Sequence, residues 1–184
     1  MFSVARCAWM LRFFGAGNVR IMNGGLQKWI KEDRPVYSGP YTDGEGLPAD
    51  GEYSGWEAHD PSLVISDIKK VHEIARKLHH GDQEWQILDS RPPAHFNGET
   101  PAPPGMRAGN ISHSLNLPFA DFVDQDTGCL KTDVELKALF ESRGFDLNKT
   151  TVHSCGSGVT ACTASLGWEL SGGAKTAMYD GSWS

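Results

Sequence analysis

Residues 151 to 170 read TVHSCGSGVTACTASLGWEL, and the change of character within this run decides the fold. Thr150, Thr151 and Val152 are β-branched and, with His153 and Ser154, read as a strand coming to its end. Cys155 is followed by Gly156-Ser157-Gly158, whose two glycines permit left-handed backbone that other residues resist. From Val159 onward, Ala161, Cys162, Ala164, Leu166 and Trp168 stand among small residues, the pattern of a helix packed closely on a sheet. The spacing therefore predicts Cys155 at a strand-to-helix turn.

That position has a chemical consequence. The first amides of a helix have no intrahelical partner and carry partial positive charge, so anions are favoured there. A cysteine so placed ionises more easily, and the thiolate is the form that attacks. The same amides can hold negative charge on an atom bonded to the sulfur. The competing reading is a small, half-buried cysteine in a glycine-rich connection, since most free cysteines are inert.

Other loop chemistries fail on spacing. A P-loop ends in Gly-Lys-Ser/Thr, and this loop has no lysine. The tyrosine-phosphatase pattern requires arginine six positions after the cysteine, where Ala161 stands. Zinc and disulfide-exchange motifs pair cysteines two to four residues apart, whereas Cys155 and Cys162 are seven apart.

The run CGSGVTAC at 155–162, with YDGSWS at 179–184, resembles the active-site loop and C-terminal signature of the 3-mercaptopyruvate sulfurtransferases, members of the two-domain rhodanese-like superfamily. The resemblance implies a Cys155 thiolate that takes sulfur from 3-mercaptopyruvate as a persulfide and passes it to a thiol such as reduced thioredoxin, or to cyanide. Gly156, Ser157, Gly158, Val159 and Thr160 would hold the persulfide charge through their amides, helped by the Ser157 and Thr160 hydroxyls. No cofactor and no metal is implied. Rhodaneses proper, which take dianionic thiosulfate, place basic residues directly after the cysteine. Gly156 and Ser157 are neutral, which favours the monoanionic mercaptopyruvate and leaves thiosulfate sulfurtransferase as the alternative.

Outward from the loop, strands alternate with helices, giving an α/β domain with a mainly parallel central sheet. Val64-Ile65, Gln86 to Asp89, Leu115 to Phe119 and Ala174 to Asp180 read as strands. Asp67 to His80 carries Ile68, Val71, Ile74, Ala75 and Leu78 at helical spacing, and Thr132 to Arg143 reads as a second amphipathic helix ended by Gly144. His79-His80 suggests a metal site, but adjacent helical side chains diverge by about 100° and the pair reads as surface.

Residues 1 to 31 hold Arg6, Arg12, Arg20, Lys28 and Lys31 and no acidic residue, which fits an organellar transit peptide. A competing reading is a folded piece: a helix over Phe2 to Phe14, a short strand Val19 to Met22, then Gly24-Gly25 and a helix Leu26 to Asp33. VRIMNGGLQKW at 19–29 matches the family's VxVxxGGxxxW, from the last third of its N-terminal domain. The expected organisation is residues 1–36 as the end of a first rhodanese-like domain, 37–60 as a Gly- and Pro-rich linker, and 61–184 as the catalytic domain. The chain is accordingly expected to be a fragment of a longer protein.

At 184 residues and 39% hydrophobic composition the length suits one domain or one plus part of another. A formal charge of −6 without a basic patch argues against nucleic acid as a partner. No apolar run reaches the roughly 18 residues needed to span a membrane. Four cysteines are too few for a secreted disulfide scaffold, so a reducing compartment is expected, cytoplasmic or alternatively mitochondrial.

The main departure from the family lies in AHFNGETPAPPGMRAGNISHSLNLPF at 94–119. The family reads close to GRFxGxxPEPRxGxxxGHIPGAxNxPF, and its two arginines are expected to bind the substrate carboxylate. Here those positions are His95 and Pro104. A neutral imidazole cannot reproduce the bidentate, always charged grip of a guanidinium. Arg107, three residues on, can supply one charge, and His95 another when protonated. Arg91, in the Asp89-Ser90-Arg91 turn, reads chiefly as a loop brace paired with Asp89, and secondarily as a substrate contact. These changes motivate a third reading, a persulfide carrier with a weakened substrate site.

Overall fold

The computed structural model describes residues 3–39, 64–65 and 67–184. Two helices come first, α1 (Val4–Phe13) and α2 (Gly25–Lys31). Strand β1 (Val64–Ile65) leads into α3 (Ile68–His79), β2 (Trp85–Asp89) into the one-turn α4 (Pro93–Phe96), and β3 (Ser114–Asn116) into a 3-10 turn at Phe119–Phe122. Helix α5 (Asp133–Ser142), β4 (Thr150–Ser154), α6 (Ala161–Leu170) and β5 (Thr176–Tyr179) complete the chain.

The five strands form one sheet in the order β1-β5-β4-β2-β3, every pair parallel. Such a sheet needs both faces covered, and alternate residues of its strands divide accordingly. Ile87, Val152, Ala177 and Tyr179 pack with Val71 and Ile74 of α3 on one face. Leu88 points the other way, into a cluster with Leu117, Phe122, Leu136, Phe140 and Trp168. Met178 joins Cys155, Ala161, Cys162 and Ala5 on that second face, so α1 shares a core cluster with the cysteine loop.

The helices start where their side chains can close the orphan amides. Asp67 accepts the Lys69 amide at 2.8 Å, and Thr132 and Glu135 form a reciprocal capping box on α5. Such a cap stabilises by about 1 kcal/mol. Gly144, at φ +82°, takes the left-handed turn that ends α5.

Three expectations need correction. Val19 to Met22 is not a strand, because among the described residues no neighbouring strand offers it a ladder. The segment after β3 turns immediately into the 3-10 turn and an antiparallel bridge between Val123 and Leu130, neither of which has a periodic sequence signal. Of the two loop glycines only Gly158 uses positive φ. Most of the expected linker, residues 40–60, lies outside the described residues.

Candidate active site

β4 lies between β5 and β2, and Cys155 follows its last residue, so the cysteine emerges at the carboxyl end of a central strand. Ligand sites of open parallel sheets form at such ends. The Cys155 residue is only 2% exposed. Burial alone would oppose ionisation, yet the Thr160 hydroxyl, the Ala161 and Ser157 amides and the Ser182 hydroxyl face the sulfur and bring its pKa below the ordinary thiol value. The start of α6 at Ala161 explains why that amide is free to do so.

The sulfur's donors differ in part from those read from sequence. The Thr160 hydroxyl and the Ser157 amide are among the groups read from sequence, whereas the Ala161 amide and the Ser182 hydroxyl are not. Ser182 sits at φ +50°, a left-handed conformation unusual for serine, and accepts the Cys155 amide at 3.2 Å. Its only advance signal was its place inside YDGSWS. Beyond it the chain is stitched to the loop: the Trp183 amide donates to the Cys155 carbonyl and the Ser184 amide to the Gly156 carbonyl, both at 3.1 Å. The Ser184 hydroxyl donates to the same Gly156 carbonyl. A Cβ at Gly156 would meet nothing within 4 Å.

Beneath the loop, Gly158 takes φ +76° and is pressed against Arg6 and Asp180. The Cys162 thiol donates to the Gly158 carbonyl at 3.2 Å. Burial pushes that thiol up to about 12 against the influence of Arg6, so Cys162 stays protonated beside an ionisable Cys155. All four cysteines are free thiols.

Of the expected carboxylate binders, Arg91 is braced: its guanidinium makes a two-point contact with Asp89, at 2.6 Å for Nη2 to Oδ2. Nη2 also donates to the Gly109 carbonyl at 2.8 Å, and the guanidinium lies 4.7 Å from the centre of the Trp183 ring. His95 is exposed on α4, while Arg107 is exposed with its carbonyl accepting the Trp183 indole N–H at 2.7 Å. Arg91 and Arg107 thus both flank Trp183, the first through its guanidinium and the second through its carbonyl, while His95 makes neither contact. Arg107 and Trp183 edge a cleft of about 750 Å³ that runs over the α3 face past Val71, Ala75 and Tyr179, but Cys155 does not line it.

His153, two residues before the nucleophile, is wholly buried against Trp168 with neither ring nitrogen hydrogen-bonded. Burial drives its pKa down to about 3, so it is neutral. His79 and His80 are exposed, and the His79 Nδ1 lies 3.3 Å from His113 Nε2. Among the described residues no three metal-ligating side chains gather, and no helix is long and apolar enough to cross a membrane.

Strand order and cysteine loop together define a rhodanese-type α/β domain. No family model matches the chain. Over its whole length the chain is 37% identical to human 3-mercaptopyruvate sulfurtransferase, 38% to that of Escherichia coli K12 and 35% to mouse thiosulfate sulfurtransferase. It spans 57%, 60% and 58% of those three proteins respectively. The crystal structure of SseA from Escherichia coli, described as a 3-mercaptopyruvate sulfurtransferase with the rhodanese fold, superposes with a TM-score of 0.79 at 36% identity. That match covers all of this chain and 63% of SseA. Yeast Tum1 shares the fold, with a TM-score of 0.80 at 22% identity over 99% of this chain and 61% of its own. The chain is therefore a rhodanese-fold homologue of the 3-mercaptopyruvate and thiosulfate sulfurtransferases.

Proposed function

We propose that this chain carries the sulfur-transfer half of a 3-mercaptopyruvate sulfurtransferase, with Cys155 as nucleophile. The observation that carries the reading is the Cys155 sulfur, ionised more easily than an ordinary thiol by two amides and two hydroxyls despite its burial. The thiolate attacks the sulfur of 3-mercaptopyruvate, the carbon–sulfur bond breaks, and the carbon leaves as the pyruvate enolate, which takes a proton to give pyruvate. Cys155 is left as a persulfide, whose negative charge falls among the same donors. A thiol such as reduced thioredoxin, or cyanide, then attacks the outer sulfur and restores the Cys155 thiolate. Four free thiols without a disulfide suit a reducing compartment, cytoplasmic or mitochondrial.

The donor is 3-mercaptopyruvate rather than thiosulfate on the neutrality of Gly156 and Ser157, which suits a monoanion. Arg107, exposed beside Trp183, is the charge we assign to the donor carboxylate; Arg91 is engaged with Asp89, and His95 serves at most as a second contact. Residues 1–36, 37–60 and 61–184 fit the end of one rhodanese-like domain, a linker and the catalytic domain. A persulfide carrier is the second reading, favoured by the engagement of Arg91 with Asp89 and by His95 and Pro104 at the two positions where arginines were expected. The test is pyruvate release from 3-mercaptopyruvate with a thiol acceptor. Saturable release that Cys155→Ser abolishes supports the proposal. Release that survives Cys155→Ser contradicts it, and loading of Cys155 by glutathione persulfide, which passes on its outer sulfur and leaves as glutathione, without any release from mercaptopyruvate selects the carrier.

A further inference from the structure

Arg6 reaches from α1 to the underside of the cysteine loop. Its Nη1 stands 2.7 Å from Asp180 Oδ1, and its guanidinium lies 4.8 Å from the centre of the Trp9 ring. A Cβ on Gly158 would come within 3.2 Å of that Nη1, 3.3 Å of the Asp180 carbonyl oxygen and 3.4 Å of Oδ1. Nη1 is itself buried and out of line for a hydrogen bond, so charge and close packing hold it there. The same guanidinium bears on the Cys162 thiol, which in turn fixes the Gly158 carbonyl.

Asp180 stands just past the end of β5. Two residues further, Ser182 takes the Cys155 amide, and Trp183 and Ser184 bond to the carbonyls of Cys155 and Gly156. The Arg6–Asp180 pair therefore touches both shoulders of the loop: Gly158 directly, and Cys155 with Gly156 through the run from Asp180 to Ser184. As a source of stability the pair counts for little, since the Asp180 side chain is 47% exposed and such pairs are worth about 1 kcal/mol or less. Its effect is geometric, and donors around a reacting atom must be held to within about 0.5 Å.

We infer that Arg6 is a positioning residue for the Cys155 chemistry, acting through Asp180 and Gly158 to keep the amide and hydroxyl donors on the sulfur. The inference rests on the reading of Cys155 as the nucleophile. It makes helix α1 a part of the reactive loop's machinery, although α1 supplies no group to the sulfur itself.

The experiment is the pH dependence of Cys155 alkylation by iodoacetamide, resolved by peptide mass spectrometry so that Cys7, Cys129 and Cys162 are read separately. Wild type is compared with Arg6→Gln, Asp180→Asn, their double variant and Arg6→Lys. Each single removal of charge raises the midpoint by about one pH unit, a roughly tenfold loss of thiolate at neutral pH. The double variant shifts no further than either single one, because both break the same link. Arg6→Lys keeps the midpoint close to that of wild type, a rescue by charge that a merely structural role would not require. An unchanged midpoint in folded Arg6→Gln, or single shifts that add in the double variant, would overturn the inference. Asp180→Asn, at a half-exposed side chain, breaks the same link and decides the question should Arg6→Gln fail to fold. Alkylation needs no sulfur donor, so variants that show these shifts beside a wild type that transfers no sulfur contradict the functional proposal alone.

Discussion

Ser182 Oγ lies 3.2 Å from the Cys155 amide nitrogen and 3.9 Å from the Cys155 sulfur, and 3.1 Å from the Tyr179 carbonyl. The oxygen accepts from the Cys155 amide, while its proton can serve either the Tyr179 carbonyl or an ionised sulfur. Removing it in Ser182→Ala leaves a buried amide without a partner, at a cost of about 1–3 kcal/mol. It also takes one donor from the thiolate. The expected result is a lower melting temperature together with an alkylation midpoint shifted to higher pH; a melting change with an unmoved midpoint would reduce Ser182 to a structural bond.

Gly158→Ala should be more damaging than any other single methyl added to the loop. At φ +76° an L-residue is strained by about 1–2 kcal/mol, and the new Cβ would press on Arg6 and on the Asp180 backbone, which cannot swing away as a flexible side chain does. By contrast Gly156→Ala meets open space. Sulfur transfer and melting temperature measured on both variants should separate them clearly. Equal behaviour would mean the loop relaxes around position 158.

His153 makes stability depend on acid. Complete burial holds its folded-state pKa down at about 3, whereas the unfolded chain takes up the proton near pH 6.5. The unfolded state therefore binds more protons between these values. The contribution of the neutral imidazole is fully present above about pH 6.5 and is lost as the pH falls, at no more than about 1.4 kcal/mol per pH unit. Denaturant unfolding of His153→Leu should show a shallower decline from pH 6.5 to 4 than wild type. It should also show higher stability at neutral pH, since two unpaired ring nitrogens leave the interior. Parallel pH curves would contradict the burial.

Arg91 and Arg107 should separate a brace from a substrate contact. Arg91→Ala leaves the Asp89 carboxylate, 1% exposed, without its partner, a loss of about 3–5 kcal/mol for breaking a buried pair from one side. Arg107→Ala removes an exposed side chain and should leave melting unchanged while raising KM for 3-mercaptopyruvate. An unchanged KM would remove Arg107 from the site.

The stretch from Thr150 to Leu170 was legible because three local signals agree along it: β-branched residues, a Gly-x-Gly loop and a run of small residues that lets α6 lie close on the sheet. The amphipathic pattern of Ile68 to Leu78 and the Thr132–Glu135 cap placed α3 and α5 in the same way. Val19 to Met22 misled because strand propensity specifies an extended backbone but not the partner that makes it a strand. Ser182 and Arg6 escaped notice because their roles depend on contacts 27 residues from Cys155 in one case and across the fold from α1 in the other. Arg91 was readable as a brace because Asp and Arg two apart on a strand exit can pair locally, whereas its stacking on Trp183 needed the fold. The His79–His113 approach likewise joins a helix end to a loop 34 residues on.

Whether Cys155 carries the transferred sulfur is decided by intact-mass measurement after brief exposure to 3-mercaptopyruvate without acceptor, followed by peptide mapping. The expected result is a gain of one sulfur atom, located on Cys155 and released by reduced thioredoxin or cyanide. A folded protein that gains no sulfur from mercaptopyruvate, or gains it on another cysteine, would contradict the assignment of Cys155 as the nucleophile.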